Sequence, residues 1–327
     1  MKNLKKLGLS ALAGSLVAFS ASAVEMSVSG TSEITYTSTA GTAGATGNPM
    51  GSNTSVKFSG SGNVGWADVT IVRTINDGLG SAFLSAYQTM DMGDMGTVSF
   101  DSVGGGLDGL TPNDDVLPTA YEEVWNGISG TGMVGAASND TLGYSNSFMG
   151  ADVSLAYTKG GTAATGDGAG GTETVSGAVK DWHVSYTIPG YEGLVLKHGR
   201  STTSYTAAGS NDDEYNNTHV LYTYENVQGG IRVGEAQSGT AGTAGKDIRA
   251  ISVAFNINDN FAVSAATQET EYDKSGAVNV TETVDAISAS YTVGAASVRA
   301  HVGDGGNIGG TSGANAEYME ISLVLSF

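Results

Sequence analysis

Residues 103–140, VGGGLDGLTPNDDVLPTAYEEVWNGISGTGMVGAASND, hold the longest run of chemistry-bearing side chains in the chain. Asp108, Asp114, Asp115, Glu122, Glu123 and Asp140 lie in it, Asp101 stands just before it, and no Lys, Arg or His accompanies them. Carboxylates gathered without counter-charges attract cations, repel anions and can bind Ca²⁺ weakly. The same stretch carries Leu107, Leu110, Leu117, Tyr121, Val124, Trp125 and Ile128. Disordered segments are poor in such residues, so these side chains require a surface to pack on. TAYEEVWNG reads as one short helical turn with Tyr121 and Trp125 four positions apart.

Other patterns that carry chemistry are absent or diffuse. No G-x-S-x-G elbow supports a Ser nucleophile, and His183, His198, His219 and His301 show no H-x-H or H-E-x-x-H spacing for a metal. GDGGNIGG and GDGAGG resemble Gly/Asp calcium turns, but no nonapeptide repeat follows them, and they read as flexible loops. The chain has no Cys, which excludes disulfides and thiolate metal sites. No resident cofactor and no catalytic activity are expected. The formal charge of −19 argues against nucleic acid as a partner.

Strands must position these groups. Hydrophobic residues make up 40%, with 49 Gly, 4 Pro and abundant Ser and Thr, a mixture that favours strands joined by Gly-rich turns. Period-2 alternation of apolar and polar residues recurs in sixteen runs from Met26 to Phe327. In the last, YMEISLVLSF, Met319, Ile321, Leu323, Leu325 and Phe327 oppose Glu320, Ser322 and Ser326. In KDWHVSYTI, Trp182, Val184, Tyr186 and Ile188 oppose Asp181, His183, Ser185 and Thr187. The connections alternate long and short, apart from NDGLG after the third run, which is shorter than the MDMGDM turn that follows. No stretch after the N-terminus is apolar for about 20 residues, so no transmembrane helix is expected.

The N-terminus, MKNLKKLGLSALAGSLVAFSASAVE, has three lysines, an apolar run and an Ala21-Ser22-Ala23 site, the pattern of a secretory signal peptide over 1–23. Its removal takes Lys2, Lys5 and Lys6 with it and moves the formal charge from −19 to −22. What remains, 24–327, reads as one domain: an all-β, sixteen-stranded antiparallel transmembrane barrel. Long loops would lie outside the cell and short turns in the periplasm, with Trp66 and Trp182 in interfacial girdles.

The signal segment, the sixteen runs, the long acidic loop after the fifth and the terminal Phe together resemble the general diffusion porins of Gram-negative bacteria, and most closely their acidic, Gly-rich alphaproteobacterial type. The resemblance implies a homotrimer in the outer membrane, embedded in lipid, whose third loop (about 103–140) folds inward and narrows the pore. It also implies recognition of the terminal Phe by the outer-membrane assembly machinery, and passive diffusion of small hydrophilic solutes and ions. On this resemblance Asp108, Asp114, Asp115, Glu122 and Glu123 supply the acidic side of the constriction. Lys57 and Arg299, which have inner parity, supply the basic side with Arg73. Arg73 shares parity with Val69 and Ile71, and is placed inside because an Arg facing lipid costs about 2–4 kcal/mol near the midplane. The excess of carboxylates implies mild cation selectivity. The alternative is a secreted or surface-attached β-rich adhesion protein without a pore.

Overall fold

The computed structural model describes residues 25–76, 85–102, 117–129, 140–159, 177–191, 193–204, 211–239, 245–273 and 278–327. The expected signal peptide, the short link after the third strand, GDGAGG, Asp108, Asp114 and Asp115 fall outside the described residues.

Sixteen strands follow one another: β1 Glu25–Gly41, β2 Met50–Asn63, β3 Asp68–Asn76, β4 Ser85–Asp91, β5 Thr97–Asp101, β6 Thr141–Phe148, β7 Ala151–Thr158 and β8 Ala178–Thr187. Then come β9 Leu194–Ser204, β10 Asp213–Tyr224, β11 Val227–Gln237, β12 Gly245–Asn258, β13 Phe261–Asp273, β14 Val280–Val293, β15 Ala296–Gly306 and β16 Asn315–Ser326. Each pairs antiparallel with its neighbours in sequence, and β1 pairs with β16, so the sheet closes and no edge is left to water or lipid. Among the described residues no helix is long and apolar enough to cross a membrane.

The alternation along each strand becomes two surfaces. Ile231, Val233, Ile251, Val253, Ile287, Val298, Val302, Ile321, Leu323 and Leu325 are exposed on the outer face. The inner face is lined largely by hydroxyls that meet across strands. Thr141 and Thr158 share a hydrogen bond of 2.6 Å, Ser27 and Ser59 one of 2.6 Å, and Ser85 donates to Thr74 at 3.0 Å. Such cross-strand pairs hold register without apolar packing.

Short turns gather at one rim. At Met149 and Gly150 φ is +54° and +86°, the two left-handed residues of a hairpin turn whose twist matches its strands. At this rim Phe327 exchanges backbone hydrogen bonds of 3.0 Å with Gly30, and its ring lies over that glycine. The closing strand thus faces as its parity predicts, Ile321, Leu323 and Leu325 outward and Glu320 and Ser322 inward.

A barrel with a polar interior has little core, and among the described residues the apolar cluster of buried side chains lies inside it. Val124, Trp125 and Ile128 of the β5–β6 loop pack on Val284, Ala286 and Ala316 of the inner wall, with Ala43, Ile308 and Tyr318 beside them.

Candidate functional site

The described part of the long loop, 117–129, rests on the inner wall from β11 round to β1. Leu117 meets Gly230 on β11, and the Ala120 N–H donates to Ser264 Oγ on β13 at 2.9 Å. The Ser288 hydroxyl on β14 donates to the Glu122 carbonyl at 3.2 Å, and the Ser129 hydroxyl donates to Glu282 Oε1 at 2.6 Å. The Tyr121 hydroxyl donates to Glu320 on β16 and, at 3.4 Å, to Glu33 on β1. Tyr318 donates to the other oxygen of Glu320 at 2.5 Å, and Arg299 lies over the Tyr121 ring, 5.4 Å from its centroid. Burial, then the Glu320 hydrogen bond, holds the Tyr121 phenol well above its ordinary pKa.

Local sequence explains this fit. Asn126, Ile128 and Ser129 N–H groups bond back to Glu123 and Trp125 carbonyls, giving one helical turn over 123–129. Tyr121 stands before this turn, so it does not stack on Trp125 as the spacing of four suggests; each takes its own partner on the wall. Gly127 lies within the turn at φ +69°, where a Cβ would lie 2.2 Å from the Tyr318 ring. On β15, Gly303 and Gly305 leave room for Ile128, whose methyls would lie 2.9 and 3.0 Å from added Cβ atoms.

Charges on the inner face form a second feature. Register aligns Lys197 on β9 with His219 on β10, and His219 with Arg232 on β11. Arg232 is wholly buried and lies over the Trp125 ring, 5.1 Å from its centroid. His183 on β8 pairs with Gly199, two positions along the same face from Lys197. The row therefore runs along the inner face from the docked loop.

A Ser–His contact also occurs: Ser288 Oγ and His301 Nδ1 are 2.8 Å apart. It lacks the geometry of nucleophilic catalysis. The Ser288 hydroxyl also reaches the Glu122 carbonyl, no third group orients the imidazole because His301 Nε2 has no hydrogen-bond partner among the described residues, and both residues are buried. Among the described residues no group of three or more His, Asp or Glu is placed to hold a metal ion.

Structural comparison decides what kind of barrel this is. OmpT of Vibrio cholerae in its trimer form matches with a TM-score of 0.68 at 14% identity, over 93% of this chain and 100% of that one. A mutant of the Rh. blastica porin matches with 0.62 at 14%, over 93% and 100%. OmpF of Salmonella typhi, in complex with daunomycin, matches with 0.69 at 10%, over 92% and 97%. The chain has the fold of the general diffusion porins. No protein-family model matches the sequence, and no curated protein matches it. Identities this low show the porin fold alone.

Within the porin fold the sequence-derived residues separate. Glu122 and Glu123 lie on the docked loop, both half-buried. Lys57 pairs with Ser29 and Thr74 and faces inward, exposed, on β2. Arg299 faces inward on β15, but it lies against Tyr121 on the wall that carries the loop, not across from it. Arg73 is a correction. It pairs with Phe58, shares the outer face with Ile71 and Ile75, and its Nη1 donates to the carbonyls of Val72 at 2.7 Å and Tyr87 at 3.3 Å. Turning Arg73 inward would turn Ile71 and Ile75 with it, so strand parity outweighs the cost of one charge, which backbone carbonyls partly meet. The Lys197–His219–Arg232 row escaped sequence reasoning. The alternation Ile231-Arg232-Val233 marked Arg232 as inward, but only register joins it to its neighbours.

Proposed function

We propose that this chain forms a water-filled channel in the bacterial outer membrane, through which small hydrophilic solutes and ions diffuse passively, with a mild preference for cations and no catalytic step. One observation carries the reading: a closed barrel with an apolar outer face and a hydroxyl-lined inner face, on whose wall an acid-bearing loop is docked. Hydroxyls substitute for the hydration of passing solutes without binding them tightly. The excess of 33 carboxylates over 14 cations lowers the barrier for positive ions more than for negative ones.

Two further features fit this reading. An outward Arg73 costs about 2–4 kcal/mol if it meets hydrocarbon near the midplane, and a second copy of the chain over that face would remove the cost. One matched structure is described as a trimer, which supports self-association. The signal segment 1–23 and the aromatic terminus fit export followed by insertion by the assembly machinery. The test is purified protein in a planar bilayer under a KCl gradient. Discrete conductance steps with a reversal potential favouring K⁺ are expected, reduced in Glu122→Gln/Glu123→Gln. A reversal potential favouring chloride would refute the selectivity, and absence of conductance would refute the channel.

A further inference from the structure

We infer that Glu282 is a positioning residue that joins the docked loop to a second inward-turning loop, 307–314 between β15 and β16, so that the two seat and release together. The consequence for transport rests on the channel reading; the coupling itself belongs to the fold.

Three observations carry it. The first is one carboxylate serving three elements. Glu282 stands near the start of β14 and is 1% exposed. Its Oε1 accepts the Ser129 hydroxyl of the docked loop at 2.6 Å. Its Oε2 accepts the Gly309 N–H of the second loop at 2.6 Å and the Tyr272 hydroxyl of β13 at 3.3 Å. These donors are neutral and the acceptor is a carboxylate, so each bond is charge-assisted. If either loop lifts away, water reaches the carboxylate and competes for the bond that holds the other. The second observation is a shared apolar contact. Ile128 of the docked loop and Ile308 of the second both fill the space over Gly305, 3.0 and 2.8 Å from where a Cβ would lie. Neither can leave without exposing the other's apolar side to water.

The third is that 307–314 holds a shape of its own. The Ile308 N–H donates to the Ala314 carbonyl at 2.9 Å, and the Ala314 N–H donates to the Thr311 carbonyl at 3.1 Å. Asn307 ties this unit to the wall: it accepts the Gly313 N–H at 2.9 Å and donates to the carbonyl of Thr281, the residue before Glu282, at 2.9 Å. Gly310, at φ +68°, sits against the Tyr272 ring, 2.7 Å from where a Cβ would lie. Thr311, Ser312 and Gly313 are exposed on the other side. In a channel, contacts made at this rim would therefore reach the docked segment through Glu282.

The test uses the full-length protein, with amide hydrogen exchange read by mass spectrometry in detergent micelles and single-channel current recorded in planar bilayers. Asn307→Gly removes both side-chain bonds of the rim loop, suits the left-handed backbone there, and deletes no hydrogen bond to 117–129. The amides of Ile128 and Ser129 should nonetheless exchange about threefold faster. Ser129→Ala deletes the docked loop's bond to Glu282, and should speed Ile308, Thr311 and Ala314 by a similar factor, because coupling between two sites is reciprocal. Glu282→Gln should speed both loops, and Asn307→Gly added to it should no longer accelerate Ile128 and Ser129. Open-channel noise should rise in each single variant. Acceleration confined to the loop that carries the substitution overturns the coupling. Transfer that persists undiminished in Glu282→Gln overturns the role of Glu282 and assigns it to the Ile308–Ile128 contact. Unchanged noise overturns the consequence for transport. A parent protein without conductance removes the channel reading, and the exchange measurements still decide the coupling. If Glu282→Gln fails to give heat-modifiable barrels, Glu282→Asp, too short to meet both loops, carries the same comparison.

Discussion

Replacing Tyr121 with Phe removes one hydroxyl and keeps the ring that Arg299 covers. That hydroxyl donates to Glu320 and, at 3.4 Å, more weakly to Glu33. A hydrogen bond to a charged acceptor contributes about 1.5–3 kcal/mol. Glu320 retains its bond from Tyr318, so the carboxylate is not stranded and the loss falls at the low end. About 1.5 kcal/mol corresponds to about tenfold in the equilibrium between docked and released loop. Amide hydrogen exchange measured by mass spectrometry reads this directly. The amides of Asn126, Ile128 and Ser129, bonded within the turn, should exchange about tenfold faster in Tyr121→Phe, while those of β14–β16 are unchanged. A double-mutant cycle with Glu320→Gln isolates the contact: once Glu320 is neutral, Tyr121→Phe should cost less than half as much. Loop exchange unchanged by Tyr121→Phe, or an undiminished cost in the Glu320→Gln background, would refute the latch.

Three other outcomes follow from the same geometry. Gly127→Ala combines a left-handed backbone, costing about 1–2 kcal/mol with a Cβ, and a clash with the Tyr318 ring; it should release the loop more completely than Tyr121→Phe in the same exchange assay, with the barrel's heat-induced gel shift unmoved. Gly30→Val sets a side chain against the Phe327 ring and the Ser55 carbonyl, at 2.4 and 2.5 Å from the added Cβ; it should lower the temperature of that gel shift. Alkaline pH should loosen the loop. The docked Tyr121 phenol stays protonated past its ordinary value of 10.0, whereas the released phenol ionises there. Docking is therefore constant below about pH 9 and weakens as pH rises above about 10. Single-channel noise recorded across that range should grow in the parent protein and stay flat in Tyr121→Phe.

Much of the fold was legible because lipid and water impose opposite demands on alternate residues. In β15 the sequence Val298-Arg299-Ala300-His301-Val302 declares both faces, and the register agrees. Arg73 was misplaced because energetic cost was weighed against a parity that Ile71 and Ile75 had already settled. The loop's need for a packing surface was visible in Val124, Trp125 and Ile128, but not the wall it would choose. That wall is marked by missing side chains, Gly303 and Gly305, and a glycine in sequence does not announce what will fill its space. The basic row was hidden for a different reason. Its members come from separate strands, and β9 obscures its own parity by placing Val195 inward and His198 and Arg200 outward.

The two acceptors of Tyr121 belong to β1 and β16, the first and last strands. They become neighbours only when the sheet closes, so the surface that Tyr121 grips does not exist in an open sheet. Docking of the loop therefore comes after closure in the order of folding, as expected for contacts of the greatest sequence separation. Once made, the grip straddles the seam where the barrel must first come apart. Substitutions at Tyr121 should thus leave the rate of strand assembly alone and hasten the parting of β1 from β16. The side chain that seats the loop on the inner wall is also the clasp that is fastened last.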